Sequence, residues 1–361
     1  MSVPASPPCG PPLGLAGALL ADEEVAALFA PGAEIEAMLA FELVLARAQH
    51  AVGEIDAAAL AAIATAAVPG TLDPDDLAAG LCRDGVAVPA MVRQVRAAIG
   101  APHAGAFHRG ATSQDVIDTA LMLRLKPLVA ILCGRLCTLV RALEGLAARD
   151  GAAKVMARTR HQDALPFTLA DRIATWTAPL ETLCAARPMH FPLQLGGAIG
   201  LRARAYGPHH AEIAAAMAGA LGLAEPGRAW HTDRQPIGAV VHWIAALATV
   251  LGKIGQDIAL MTQTPVAEIR APGGGSSAMA HKHNPVGAEL LVTLARHVGG
   301  HAAMMQAAAL HENERSGIAW TQEWLVLPPL AVGCGAALRH AQALVAGLDV
   351  EADAAAMADQ G

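Results

Sequence analysis

Aromatic side chains are scarce, with Phe, Trp and Tyr filling 3% of the 361 positions and Tyr occurring once. That shortage, beside an abundance of Ala and Leu, disfavours an all-β architecture and suits helices packed closely through small side chains. Basic residues are outnumbered, 25 Lys and Arg against 32 Asp and Glu, for a formal charge of −7. An extended phosphate-binding surface is therefore excluded and no nucleic-acid partner is expected, although a basic pocket inside an acidic shell remains allowed. The six cysteines, at 9, 82, 133, 137, 184 and 334, include no Cys-x-x-Cys pair and no framework spacing, so buried free thiols are expected. Long apolar runs are also missing. The longest, Ile237 to Gly252, carries His242 and is closed by Lys253, short of the ~20 residues of a membrane span. No Lys or Arg precedes the apolar stretch Leu13 to Ala21, since the first basic residue is Arg47, which is not the pattern of a secretory signal. A cytoplasmic protein without a membrane partner is the expectation.

What is present is helical periodicity. Residues 1–21, rich in Pro and Gly at the start, read as an N-terminal arm, and 22–104 as a small helical domain of short helices broken at Pro31-Gly32, Pro69-Gly70 and Asp73-Pro74. Residues 105–348 form a central domain with five long helical stretches, near 113–148, 166–186, 236–264, 285–312 and 322–346, followed by a short tail at 349–361. Thr112 or Ser113 can cap the first stretch, and Pro127 should bend it. The third is apolar on most sides, more than one chain's bundle would readily cover, so self-association is expected. The fold class expected is all-α, a long-helix bundle with a small N-terminal helical domain.

Chemistry-bearing residues gather between these helices. The segment Gly273 to Pro285 holds three glycines, Ser276, Ser277, Met279, Lys282, His283 and Asn284 immediately before a helix. Glycine and serine alone would describe a plain linker into a cap; Lys282, Asn284 and Pro285 at these offsets point instead to a mobile segment able to fold over an anion. A second cluster, His108 to Asp115, brings His108, Thr112, Ser113 and Gln114 to a helix start, where free amides and hydroxyls suit a carboxylate. A third runs through Arg158, Thr159, Arg160, His161 and Gln162. His297 and His301 are four apart, but Gly299-Gly300 intervenes and no glutamate accompanies them, so they are read as structural histidines rather than metal ligands. Cys133 and Cys137, also four apart, are read as core thiols.

The Gly273–Pro285 segment resembles the signature loop of the fumarase/aspartase superfamily, Gly-Ser-Ser-x-Met-Pro-x-Lys-x-Asn-Pro, with Ala280 in place of the usual Pro. The second cluster is similar to that superfamily's His-x-Gly-x-Thr-Ser stretch, and the third to its Gly-Arg-Thr-His-x-Gln-x-Ala-x-Pro stretch. Here Arg160 takes the place of the usual His, and His161 follows it. A permanent cation with fork geometry suits a substrate bearing extra carboxylate. That departure, with Leu193 to Ala198, Trp230 to Arg234, Gly252 to Asp257 and His311 to Arg315, makes the chain similar to the 3-carboxy-cis,cis-muconate cycloisomerase branch.

The resemblance implies an intramolecular lyase acting on a small tricarboxylate in protocatechuate breakdown, with 4-carboxymuconolactone as product and no cofactor or metal. By position, Ser276 would transfer the proton and Lys282 would stabilise the enolate-like intermediate, with His161 as an auxiliary acid. Substrate contacts would come from His108, Thr112, Ser113, Gln114, Arg158, Thr159, Arg160, Gln162, Ser277, Met279, Asn284 and Arg315. It also implies a homotetramer whose sites are shared between chains, and a further helical domain after the bundle that these residues do not include. Alternatives are an adenylosuccinate- or argininosuccinate-type lyase on the same fold, or a non-catalytic crystallin-like scaffold.

Overall fold

The computed structural model describes residues 14–275, 279 and 282–350. Helices run in chain order as α1 (Gly17–Leu20), α2 (Glu23–Ala27), α3 (Pro31–Ala51), α4 (Ala57–Ala66), α5 (Pro74–Asp84), α6 (Val88–Ile99) and α7 (Ser113–Asp150). A hairpin of β1 (Lys154–Thr159) and β2 (Gln162–Thr168) leads into α8 (Leu169–Ala185), and α9 (Arg202–Tyr206), α10 (His210–Leu221) and α11 (Gln235–Met261) follow. After β3 (Ile269–Arg270) come α12 (Val286–Ala308), α13 (Ile318–Ala346) and β4 (Asp349–Val350). β1 and β2 are antiparallel, as are β3 and β4, in which Ile269 faces Val350.

The five long helices α7, α8, α11, α12 and α13 build one apolar core, in which Leu125, Leu128, Leu132, Leu136, Leu139 and Leu143 of α7 are fully buried at helical spacing. Each such leucine contributes ~1.5–3 kcal/mol relative to exposure. A second core joins α3, α4, α5 and α6 to the first turns of α7 and to α10, through Phe41, Ile63, Met91, Val116, Ile213 and Met217. Residues 14–21 lie along α13, where His340 Nε2 meets the Leu19 carbonyl at 3.1 Å.

By length and composition α11 could cross a membrane, yet just over half of its apolar window is buried within the chain. Its outward stripe is Ala239, His242, Ala246, Thr249, Lys253 and Gln256, small or polar side chains at helical spacing. α11 and α12 approach closely at Gly255, where an added Cβ would sit 2.5 Å from the Ala288 carbonyl oxygen.

Several boundaries differ from the sequence expectation: α11 ends at Met261 rather than 264, α12 at Ala308 rather than 312, and two helix starts shift for visible reasons. The helix expected from Pro166 begins at Leu169, because 162–168 pair with β1 and Thr168 caps the helix: Thr168 Oγ1 accepts from Asp171 N–H at 3.1 Å while the Asp171 carboxylate accepts from Thr168 N–H. Pro166 is tolerated in β2 because the hairpin has no third strand to receive an N–H. The last helix starts at Ile318 rather than 322, since Ser316 Oγ accepts from Ala319 N–H at 3.0 Å.

Candidate functional site

α7 fixes the geography of the site. Its 38 residues extend about 57 Å at ~1.5 Å per residue. The His108–Asp115 cluster lies at its N-terminal end, whereas the β1–β2 hairpin carrying Arg158 to Gln162 follows its C-terminal end.

At the N-terminal end, Asp115 engages four groups from a fully buried position. Its carboxylate accepts from the N–H groups of Thr112 (3.1 Å), Gly196 (2.8 Å) and Gly197 (2.9 Å), and lies 3.0 Å from His231 Nε2. One turn on, buried Asp118 accepts from Arg234 (2.7 and 3.0 Å), Gln114 Nε2 (3.1 Å), Gln194 Nε2 (3.3 Å) and Trp320 Nε1 (3.1 Å). Arg234 spans from Asp118 to Glu323, which it reaches at 2.8 and 2.6 Å. Burial alone would raise the Asp118 carboxyl, but the Arg234 charge and hydrogen bonds outweigh it and hold it below the usual carboxylate value; Arg234 is correspondingly raised.

His108 sits in the left-handed region at φ 59°, with Nδ1 2.5 Å from Glu42 Oε1. Burial works against its protonated form, yet the Glu42 carboxylate overcomes that and raises the imidazole above its ordinary value. His108 and Ser113 line an open cavity of about 670 Å³ together with Arg93, Arg96, Val88 and Val92 of α6, a size in the usual range for small-molecule sites. Arg96 donates one nitrogen to the Phe107 carbonyl at 2.8 Å, while its buried Nε has no partner among the described residues. Sequence reasoning missed Arg96. The i, i+3 spacing of Arg93 and Arg96, which places both on one helical face, is the signal that could have found it.

At the other end, Arg160 and His161 form the two-residue turn of the hairpin with φ of 51° and 65°. Positive φ at both central positions marks a type I′ turn. Thr159, Arg160, His161 and Gln162 are all exposed. Arg160 makes no ion pair among the described residues; Arg158 makes two, with Asp163 at 2.8 Å and with buried Glu268 at 2.9 Å. Glu268 also accepts from Met156 N–H, so Arg158 anchors the hairpin to the strand preceding the signature segment.

That segment leaves β3 through Gly273 and Gly274, at φ 83° and 84°. Gly274 O accepts from Asn284 N–H at 2.7 Å, and a Cβ on Gly274 would lie 1.8 Å from the Asn284 oxygen, so only glycine fits there. Lys282 and Met279 are exposed, and Lys282 N–H donates to the Met279 carbonyl at 3.0 Å. Lys282 makes no ion pair among the described residues. Ser276 and Ser277 lie outside the described residues.

Three expected substrate contacts, Gln114, Arg158 and Arg315, also have partners within the chain. Gln114 is fully buried, donating to Asp118 and to the His231 carbonyl (2.8 Å) and accepting from Arg315 Nε (3.1 Å). Arg158 is held by its two carboxylates. Both position the elements that carry other candidates. Arg315, which also donates to the Ala198 carbonyl at 3.1 Å, ties the 311–315 segment to the α7 N-terminus.

Thus Lys282, Asn284 and the hairpin tip share one end of the bundle, and His108, Thr112, Ser113 and Arg315 the other. Residues 29–300 match the family model described as a lyase. The chain belongs to the lyase family. It is 36% identical over 337 residues to a 3-carboxy-cis,cis-muconate cycloisomerase of Pseudomonas aeruginosa, covering 90% of this chain and 73% of that protein. A nitrosuccinate lyase of Streptomyces davaonensis is also 36% identical, over 94% of this chain and 75% of its own length. Among solved structures, the 3-carboxy-cis,cis-muconate lactonizing enzyme of Pseudomonas putida superposes with a TM-score of 0.86 at 33% identity, covering 94% of this chain and 78% of that one. The helical bundle is therefore that of the lyase relatives, and the chain spans about three quarters of their length.

Proposed function

We propose that this lyase is a cycloisomerase that closes 3-carboxy-cis,cis-muconate to 4-carboxymuconolactone, in sites assembled from several chains of a homotetramer. The observation that carries the reading is a pair of exposed cations that make no ion pair among the described residues: Arg160 at the hairpin tip and Lys282 in the segment that resembles the lyase signature loop. A substrate with three carboxylates needs more positive contacts than a dicarboxylate does, and Arg160 supplies a fixed one. The likeness to cycloisomerases in sequence and in fold supports the same conclusion.

In the proposed reaction one carboxylate oxygen adds to a carbon of the conjugated diene, forming the lactone C–O bond. The displaced electron pair spreads onto a neighbouring carboxylate as a doubly charged aci-carboxylate, then returns to take a proton on the adjacent carbon. Fixed donors in a dry site make that intermediate accessible. Lys282 is its stabiliser, and His108, Arg96 and the Thr112 and Ser113 groups at the α7 N-terminus receive the remaining carboxylates. Ser276 delivers the proton; a serine of ordinary pKa does so only once cations and amides surround its oxygen, which links chemistry to closure of the 273–285 segment. No step calls for a cofactor, and the cytoplasm is the proposed location.

The length of α7 supports sharing between chains. No flexing within one chain brings the signature segment to His108 across a helix of about 57 Å, so a second chain must present the opposite end. The small and polar outward stripe of α11 suits close approach of another copy. Met304, Leu310, Ile318 and Leu325, exposed by 48%, 83%, 80% and 74%, give the α12–α13 end an apolar surface for a neighbour to cover.

A second reading, elimination from a substituted succinate, is favoured by the equal identity to the nitrosuccinate lyase. The test offers purified protein carboxymuconate, nitrosuccinate, fumarate, adenylosuccinate and argininosuccinate in turn. Loss of diene absorbance with carboxymuconate alone is the expected result; turnover of nitrosuccinate in its place would establish the second reading.

A further inference from the structure

Three thiols from two helices converge beside the bundle core. Cys133 and Cys137 stand one turn apart on α7, and Cys184 comes from the last turn of α8 packed against it. Cys184 Sγ lies 3.5 Å from Cys133 Sγ and 3.3 Å from Cys137 Sγ, and all three sulfurs fall within 4.8 Å of one another. All are half-buried, so the cluster has an apolar floor and an open side.

We propose that Cys133, Cys137 and Cys184 form a three-sulfur site for a soft d10 metal ion, Cu(I) in particular. Metal–sulfur bonds of about 2.3 Å require sulfurs about 4.0 Å apart around a three-coordinate ion, or about 3.8 Å on one face of a tetrahedron. The separations of 3.3 and 3.5 Å fall a few tenths of an ångström short of these values and the third lies within 4.8 Å, so small rotamer adjustments complete the shell. No fourth nitrogen, sulfur or carboxylate ligand joins the group among the described residues, which favours an ion content with three thiolates over Zn(II), which would need an added water. Coordination releases the thiol protons to solvent. Arg187, which donates to the Cys184 carbonyl at 3.0 Å, brings a cation close to the three sulfurs.

The site is rigid for a structural reason. Trp243 Nε1 of α11 donates to the Leu183 carbonyl at 2.8 Å, fixing the end of α8 that presents Cys184. It is also separate from the candidate active site: Cys133 stands 20 residues beyond Ser113 on α7, about 30 Å along the axis.

The experiment uses the full-length protein, reduced and anaerobic, titrated against the coloured Cu(I)–bicinchoninate complex. The expected result is withdrawal of about one Cu(I) per chain, with three sulfur neighbours near 2.3 Å by X-ray absorption. Cys184→Ser, nearly isosteric and checked by its melting curve, should reduce uptake to background, as should Cys133→Ser. Cys82→Ser, which alters an exposed thiol elsewhere, should leave it unchanged. Uptake that survives Cys184→Ser, no withdrawal from the chelator, or a Cys137–Cys184 disulfide in place of bound copper would each overturn the proposal.

Discussion

His108 shows how a single side chain joins site and scaffold. It faces the cavity, yet its other engagement is with Glu42, and that contact raises its imidazole above the ordinary value of 6.5. A raised folded-state value means the contact stabilises fully below the unfolded histidine's value and loses its effect as pH rises through the folded one. His108→Gln should therefore cost more stability near pH 6 than near pH 9; urea denaturation at both values checks this, and an equal cost would refute it. Arg234 makes the complementary case. Replaced by Met, it would leave Asp118 and Glu323 buried without their cation, a loss of roughly 3–5 kcal/mol, visible as a lower denaturation midpoint. In sequence, His108 and Thr112 stand out because they fall in a stretch similar to the superfamily's His-x-Gly-x-Thr-Ser, at the start of a long helix. Asp118 does not, because nothing in a linear pattern reveals that it shares one buried network with Arg234 and Glu323, both more than 100 positions away.

At the scale of elements, the long helices were legible because apolar residues recur with the helical period over many turns. The hairpin was not. Its strands are short, edge-exposed and contain Pro166, while the Thr168–Asp171 cap that delays α8 is easily lost beside a proline. The hairpin also separates two roles. Arg158 anchors it through Glu268 and Asp163, while the turn residues Arg160 and His161 are exposed. Changing the turn to Asn-Gly, by Arg160→Asn with His161→Gly, supplies residues that accept positive φ. The fold should then be as stable or up to about 1 kcal/mol more so, while kcat/KM for carboxymuconate drops by 100-fold or more, about 2.7 kcal/mol of lost transition-state binding. Retained activity would remove Arg160 from the site.

For the whole molecule, the account rests on distance. One end of the bundle carries the α7 N-terminus, His108 and the cavity beside Arg96; the other carries the signature segment and the hairpin tip. The sequence pattern named all three clusters but could not say which ends they occupy, since helix direction and packing emerge only when the core assembles. If sites are completed by neighbouring chains, damage to two different clusters in two different chains is repairable. The decisive measurement is the activity of mixed Ser276→Ala and Thr112→Ala proteins, each inactive alone, after subunit exchange has been verified. Recovery of activity, towards about one quarter of wild type when chains mix at random and each intact site draws the two clusters from different chains, is the predicted result. No recovery in demonstrably mixed oligomers, or a fully active monomer, would contradict the shared site.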